Sequence, residues 1–281
     1  MEIYGIIGTI IGSIIAYLIG SFSWSILISK LMYKVDVRDY YSKNAGATNT
    51  TRVLGKKWGL AVTFLDMGKV IVTMFIVFGI SCININGVNF GATSYYIPAF
   101  FVLVGHCYPI YYRFKGGKTV ASFGGLLLMA NPYLFLIAAG TWWITIFIWK
   151  RVSVSSILAV FLVACLCWVP QISGISVINF DGNLLADSKI IWFNQFHHLA
   201  NNYNNYYDSL ALINIVIVLG AILSIARHHE NIARLLKGTE PKFDFKKKSS
   251  LATGEISRGS SKTKKIAQEP KKKEQDIVSK K

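Results

Sequence analysis

The chain has 281 residues, 53% of them hydrophobic and only 16% charged. Soluble domains carry about 25% charged residues, so a water-soluble globule is excluded. The net charge of +16 is uneven, because residues 242–281 hold 13 basic and 5 acidic side chains. This composition predicts an all-α polytopic membrane domain over residues 1–243, followed by a disordered polybasic tail over 244–281.

A helix needs about 20 apolar residues to cross the hydrocarbon core. Ile3–Ile28 and Trp58–Cys82 meet that length, and Tyr95–Tyr112, Pro132–Trp149, Ser153–Ile172 and Ser209–Ala226 are shorter apolar runs predicted as spans. Val120–Ala130 would rise only about 16 Å as a helix and reads as a half-span, ended by the turn-and-restart pair Asn131-Pro132. The amino terminus has no basic n-region and its apolar run is too long for a signal peptide. Within the first span Gly8, Gly12, Ala16 and Gly20 form a small-residue stripe that allows close helix approach. In the second, Asp66 and Lys69 lie three apart, either as a structural ion pair or as the wall of a substrate site. Cys82, Cys107, Cys165 and Cys167 lie in or beside apolar runs. They are expected as unpaired core residues, and their spacing offers no metal site.

Sidedness follows from Lys and Arg in the loops. Residues 29–57 carry seven, Arg113, Lys115 and Lys118 follow the third span, and Lys150-Arg151 and Arg227, Arg234 and Lys237 follow later ones. Residues 83–94 carry none and 173–208 only Lys189. Counting the half-span as a traversal gives seven transmembrane helices, amino terminus outside and carboxyl terminus cytoplasmic, with every basic loop on one face. Six would contradict the charge rule.

Three segments on that face carry chemistry. Ser42-Lys43-Asn44-Ala45-Gly46-Ala47-Thr48-Asn49, followed by Thr50-Thr51-Arg52, offers backbone N–H groups, hydroxyls and a guanidinium suited to phosphate. A polar loop with a helix cap would look the same. Phe114-Lys115-Gly116-Gly117-Lys118-Thr119-Val120-Ala121-Ser122 opens the half-helix, whose free N–H groups and Lys118 suit an anion. The alternative is a Gly-rich turn with a lysine reaching to the surface. Arg227-His228-His229-Glu230-Asn231-Ile232-Ala233-Arg234 would align Arg227, Asn231 and Arg234 on one stripe if the last helix continues, with Gly238 as its cap and Glu230 pairing Arg234 at i+4. The cluster is rich in cations, with few acids and no Ser/His/Asp spacing.

At these residues the chain resembles the bacterial membrane acyl-phosphate:glycerol-3-phosphate acyltransferases. The family segments Ser-Gly-Asn-x-Gly-Ala-Thr-Asn-x-x-Arg, Gly-Gly-Lys-x-Val-Ala-Thr and Arg-His-x-x-Asn-x-x-Arg read here as SKNAGATNTTR (42–52), GGKTVAS (116–122) and RHHENIAR (227–234). The flanks LDMGK (65–69), GHCYPIYYRFKGGK (105–118) and RLLKGTEPKF (234–243) agree too. Lys43 stands where the family has Gly, and Ser122 where it usually has Thr.

The resemblance implies transfer of a fatty acyl group from acyl phosphate to the 1-hydroxyl of glycerol 3-phosphate at the cytoplasmic face of the plasma membrane. The products are lysophosphatidate and inorganic phosphate, in the first acylation of phospholipid synthesis. It implies catalytic roles for His228, Asn231, Arg52 and Lys118, and substrate contacts from Ser42, Asn44, Gly46, Thr48, Asn49, Gly116, Gly117, Ser122, Arg227 and Arg234. It calls for no cofactor or metal. Implied partners are the two substrates, membrane lipid and the enzyme that makes acyl phosphate, and nucleic acid is not one of them. The rival from another class is a transporter of anionic phosphate esters. An acyl-CoA-dependent acyltransferase of the His-x-x-x-x-Asp type is disfavoured, since no His here has Asp five positions on.

Overall fold

The computed structural model describes residues 2–173, 191–194, 196, 208–245 and 249–254. The expected external loop 173–207, with His197-His198 and 201–207, and the tail beyond 254 lie almost entirely outside these residues. Each of the seven predicted apolar stretches carries a helix: α1 (Glu2–Gly20), α4 (Lys56–Ser81), α5 (Tyr96–Cys107), α6 (Val120–Ala130), α7 (Pro132–Trp149), α8 (Val152–Leu166) and α10 (Leu210–Ala226). Between and beyond them lie α2 (Trp24–Tyr33), α3 (Ala47–Leu54), the one-turn α9 (Pro170–Ser173) and α11 (His229–Leu236). The two-residue strands β1 (Asn84–Ile85) and β2 (Val88–Asn89) pair antiparallel around Asn86-Gly87, both at positive φ, the pattern of a tight hairpin turn.

Several predicted boundaries move. The run Ile3–Ile28 is two helices broken at Ser21–Ser23. Tyr95–Tyr112 is helical only to Cys107, because Pro109 interrupts it ahead of a 3-10 turn at Ile110–Tyr112. Ser153–Ile172 stops at Leu166 and restarts at Pro170. The restart after the short helix α6 is as expected: Asn131 accepts from the N–H groups of Tyr133 and Leu134 at 3.0 and 3.2 Å, and Pro132 sits where its missing N–H costs nothing.

Ile3–Tyr33, Lys56–Ser81 and Pro132–Trp149 are long and apolar enough to cross a membrane. Their outward faces carry large hydrophobic side chains, such as Ile14, Phe64, Ile144 and Phe147, each about 60% exposed. Water tolerates no such continuous apolar surface, whereas lipid does. The packed interior runs through Val70, Met74, Val102, Leu103, Phe123, Leu126, Leu127 and Ile217, so α4, α5, α6 and α10 form the centre. The small-residue stripe seats α1 on α5. A side chain on Gly20 would lie 2.7 Å from the Val102 Cα, and one on Gly105 would lie 2.8 Å from the Ser21 nitrogen. Cys107 and Cys167 are buried, but Cys82 and Cys165 are exposed. This corrects the expectation of four core cysteines, since Cys82 follows the end of α4 and Cys165 falls on an outward face of α8. All four are unpaired.

Candidate active site

The first loop is held in shape by its own polar residues. Asp36 caps the 3-10 turn Val37–Asp39 and pairs with Arg38, whose Nη1 also donates to the Tyr112 and Lys115 carbonyls at 3.1 and 3.3 Å. Arg38 thereby ties the first loop to the second. Asn49, on α3, is buried. Its amide nitrogen donates to the Val37 and Tyr40 carbonyls, at 2.7 and 3.2 Å, and its oxygen accepts from the Ser42 N–H. These bonds commit its side chain to shaping the loop. Thr50 is equally inward, bonded to Ser25 at 2.7 Å and to the Gly46 carbonyl at 3.0 Å. Asn44, Gly46 and Thr48 stay half-buried.

Lys43 adopts φ 52° with an exposed side chain. A left-handed backbone there accounts for glycine at the matching family position, since only Gly adopts it without penalty. Lys43→Gly is therefore expected to stabilise the fold by a few tenths to about 1 kcal/mol, read as a small rise in melting temperature in detergent.

In the second loop, Gly116 and Gly117 run against the end of α5. Gly117 N–H donates to the His106 carbonyl at 2.9 Å. A side chain on Gly116 would meet the Cys107 carbonyl at 2.8 Å, and one on Gly117 the His106 ring and, at 2.9 Å, the Ala45 carbonyl. The glycines thus let the first loop, the second loop and α5 meet backbone to backbone. Lys118 reaches across to donate to Asn231 Oδ1. Its ammonium is pushed down to about 8, first by burial and then by Arg234 and Arg227 nearby. Ser122, in the first turn of α6, is fully buried, and its hydroxyl has no partner among the described residues.

The third segment departs from the continuous stripe. The chain bends by 53° between α10 and α11, so Arg227 and His228 lie at a corner. Arg227 donates to the Gly117 carbonyl at 3.3 Å and sits over the Tyr108 ring. His228 is buried and its Nδ1 lies 2.8 Å from the Ser224 carbonyl. A carbonyl only accepts, so Nδ1 carries the proton and Nε2 is left as an acceptor. Burial pushes this imidazole down to about 4, and Lys118 adds to the effect; the ring is neutral at pH 7. Gly238 (φ 69°) closes α11 as expected.

The residue that organises the corner is Glu240, which motif reading had not singled out. One oxygen accepts from Ser153 Oγ at 2.6 Å and Asn231 Nδ2 at 2.7 Å, and the other from Arg234 Nε at 2.7 Å. Arg234 is thus directed to Glu240, while Glu230 lies 3.9 Å away and exposed. Burial would raise the Glu240 carboxyl, but the three donors outweigh it and hold the group below the usual range. Burial lowers the Arg52 guanidinium, opposed by attraction to Glu240. Residues 249–254 lie beside this helix, with Ser250 and Leu251 N–H donating to the Arg52 and Val53 carbonyls. The sequence signal for Glu240 was a lone acid after the helix-closing glycine of a strongly basic segment.

The three segments therefore meet in one place. Arg52, Lys118, Arg227 and Arg234 bring four cations around a glycine turn, a neutral histidine and one buried carboxylate. Known proteins resemble this chain over most of its length. Residues 10–238 match the family model described as glycerol-3-phosphate acyltransferase. A glycerol-3-phosphate acyltransferase from Mycoplasma mycoides subsp. mycoides SC is 41% identical over 243 residues, covering 84% of this chain and 93% of that one. The crystal structure of PlsY, described as an integral membrane glycerol 3-phosphate acyltransferase, superposes in its glycerol 3-phosphate form with TM-score 0.61 at 28% identity, covering 87% of this chain and 98% of that one. Its lysophosphatidic acid form superposes with TM-score 0.58 at 30% identity, covering 84% and 95%. The chain belongs to the glycerol-3-phosphate acyltransferase family and is an integral membrane acyltransferase.

Proposed function

We propose that this protein transfers a fatty acyl group from acyl phosphate to the 1-hydroxyl of glycerol 3-phosphate, yielding lysophosphatidate and inorganic phosphate. The observation that carries the proposal is the convergence of Lys118 and Arg227 at the Gly116-Gly117 turn with Arg234 and Arg52, which gather around Glu240 close by. Such a cluster binds two phosphate-bearing substrates and neutralises a phosphate leaving group. The glycerol 3-phosphate and lysophosphatidic acid forms of the related crystal structure support the same acceptor and product.

In this reading the Gly116–Lys118 turn, Ser122 and the loop Ser42, Asn44, Gly46, Thr48 and Asn49 surround the acyl phosphate head, with Asn49 acting through loop shape. Arg52, Asn231, Arg227 and Arg234 hold glycerol 3-phosphate. A cavity of about 330 Å³ lies at the break between α1 and α2, lined by Leu18, Ile19, Phe22, Trp24, Tyr111 and Lys69. It offers the acyl chain an apolar path toward lipid.

The 1-hydroxyl oxygen attacks the acyl carbonyl carbon, the carbonyl–phosphate bond breaks, and inorganic phosphate leaves. His228 Nε2 accepts from the hydroxyl and orients it. The proton passes either to His228 Nε2 or to a substrate phosphate, whose second pKa is about 6 in water. Positioning and charge neutralisation carry the rate, since a mixed anhydride already has a good leaving group.

In this reading the chain makes seven traversals with its amino terminus outside, and the site faces the cytoplasm at the plasma membrane, as the basic loops favour. There the enzyme that makes acyl phosphate can deliver it. The test is lipid-reconstituted protein given glycerol 3-phosphate with palmitoyl phosphate or, in parallel, palmitoyl-CoA. Lysophosphatidate and stoichiometric phosphate are expected with the acyl phosphate alone, and Arg52→Ala should lower turnover by at least about 100-fold. Activity only with palmitoyl-CoA would reject the donor. Vesicle uptake of glycerol 3-phosphate without acyl transfer would favour a transporter.

A further inference from the structure

Asp66, Lys69 and His106 form a buried polar cluster that the acyl-transfer steps above leave unused. Lys69 Nζ lies 3.1 Å from Asp66 Oδ1, 3.1 Å from the Gly20 carbonyl and 2.8 Å from His106 Nδ1. All three side chains are at most 6% exposed. An ammonium has three protons to donate and no lone pair to offer. At 2.8 Å from Nζ, His106 Nδ1 therefore accepts, and its 3.5 Å separation from Asp66 is too long to compete. With Nδ1 accepting, the proton of the neutral ring sits on Nε2. That edge of the ring abuts Gly117, where an added Cβ would collide with Nε2 and come within 2.9 Å of the Ala45 carbonyl. The His106 carbonyl meanwhile accepts from Gly117 N–H. Among the described residues Nε2 itself has no hydrogen-bond partner.

A ring N–H that has no protein partner among the described residues and lies against the glycine turn is a donor available to a ligand. This one is held in a fixed tautomer, by an ion pair inside the membrane domain, at the junction of the first two loops. We propose that His106 is a further anion-binding residue of this site, donating its Nε2–H to a substrate phosphate oxygen, with Lys69 and Asp66 as positioning residues that fix its tautomer. The proposal rests on the phosphate-binding reading of the glycine turn, and a phosphate of either substrate supplies the acceptor. It also accounts for glycine at position 117, since any side chain there would cover Nε2.

The test compares His106→Gln, whose amide nitrogen takes the place of Nε2, with His106→Asn, whose amide reaches only to Nδ1. A third variant, His106→Phe, keeps the ring and removes the donor. Equilibrium binding of inorganic phosphate and of glycerol 3-phosphate to the full chain in lipid nanodiscs requires no turnover and so does not depend on the donor assignment. The glutamine variant is expected within about threefold of the unmodified protein, and the asparagine and phenylalanine variants about 10- to 100-fold weaker for one ligand. Loss for glycerol 3-phosphate would place the bond on the acceptor's phosphate. Loss for inorganic phosphate, together with a raised KM for palmitoyl phosphate, would place it on the donor's.

Lys69→Met with Asp66→Asn removes the ion pair without stranding a charge and should weaken the same ligand. If His106→Asn binds both ligands as tightly as His106→Gln, with matching melting temperatures, the proposal is overturned. If unmodified protein fails to turn over palmitoyl phosphate, the donor reading is lost, while the binding comparison still decides the role of His106.

Discussion

Replacing Lys118 with alanine should lower kcat/KM by about 100- to 1,000-fold, because under the proposed function it removes the cation that holds a substrate phosphate in a partly desolvated site. The pH profile carries more information than the size of the loss. Lys118 is pushed down to about 8 by burial and by Arg234 and Arg227, and kcat/KM reports the free enzyme. Below about 8 the side chain is cationic and holds the anion; above it the charge and the affinity are lost. A falling alkaline limb near pH 8 is therefore expected. Lys118→Arg should remove that limb, since a guanidinium stays charged, even if its fork fits Asn231 less well. The acid limb separates the two bases. A phosphate base gives a limb near pH 6, whereas His228 would give one near its own value of about 4. An acid limb near 4 that vanishes in His228→Ala would assign the proton-accepting role to the histidine.

Glu240→Ala should damage both catalysis and folding. It strips the acceptor from Ser153, Asn231 and Arg234 together, and Asn231 is the residue that receives Lys118. A buried group with three donors is worth more than any one of those bonds, so a stability loss of about 2–3 kcal/mol is expected. The accompanying fall in kcat/KM should be at least about 100-fold. Glu240→Gln keeps the shape and two of the donors satisfied but turns an N–H toward Arg234. It should fold nearly normally yet place Arg234 and Arg52 poorly, raising KM for glycerol 3-phosphate more than it lowers kcat. The sign with pH is defined. The folded carboxyl lies below its unfolded value, so its stabilisation is present at neutral pH and disappears as pH falls through the folded pKa. Acid should therefore lower the melting temperature of the unmodified protein more than that of Glu240→Gln. Equal acid sensitivity would show that Glu240 is not the titrating strut.

Part of this architecture was legible in the order of residues, for reasons that are local. Apolar runs of membrane length interrupted by polar segments locate helices because unpaired charge is costly in lipid, and all seven runs carry a helix. Asn131-Pro132 specified a helix start by the hydrogen bonds one side chain can make to its own backbone. The three polar segments were recognisable because phosphate chemistry needs glycine, hydroxyls and cations close together in sequence.

Other features depend on partners distant in the chain. The bend at Arg227–His228 has no proline or glycine to announce it. Asn49 looks like a ligand residue in its motif, yet its amide is spent on Val37 and Tyr40. Glu240 acquires its importance from Ser153, 87 residues away. His106 acquires its own from Lys69, which is 37 residues away. Sequence by itself determined the class of protein, the positions of its helices and the chemistry its loops can perform. Only the tertiary structure decided which polar groups are consumed in holding the site and which remain to meet a substrate, because a hydrogen bond is allotted by proximity in space.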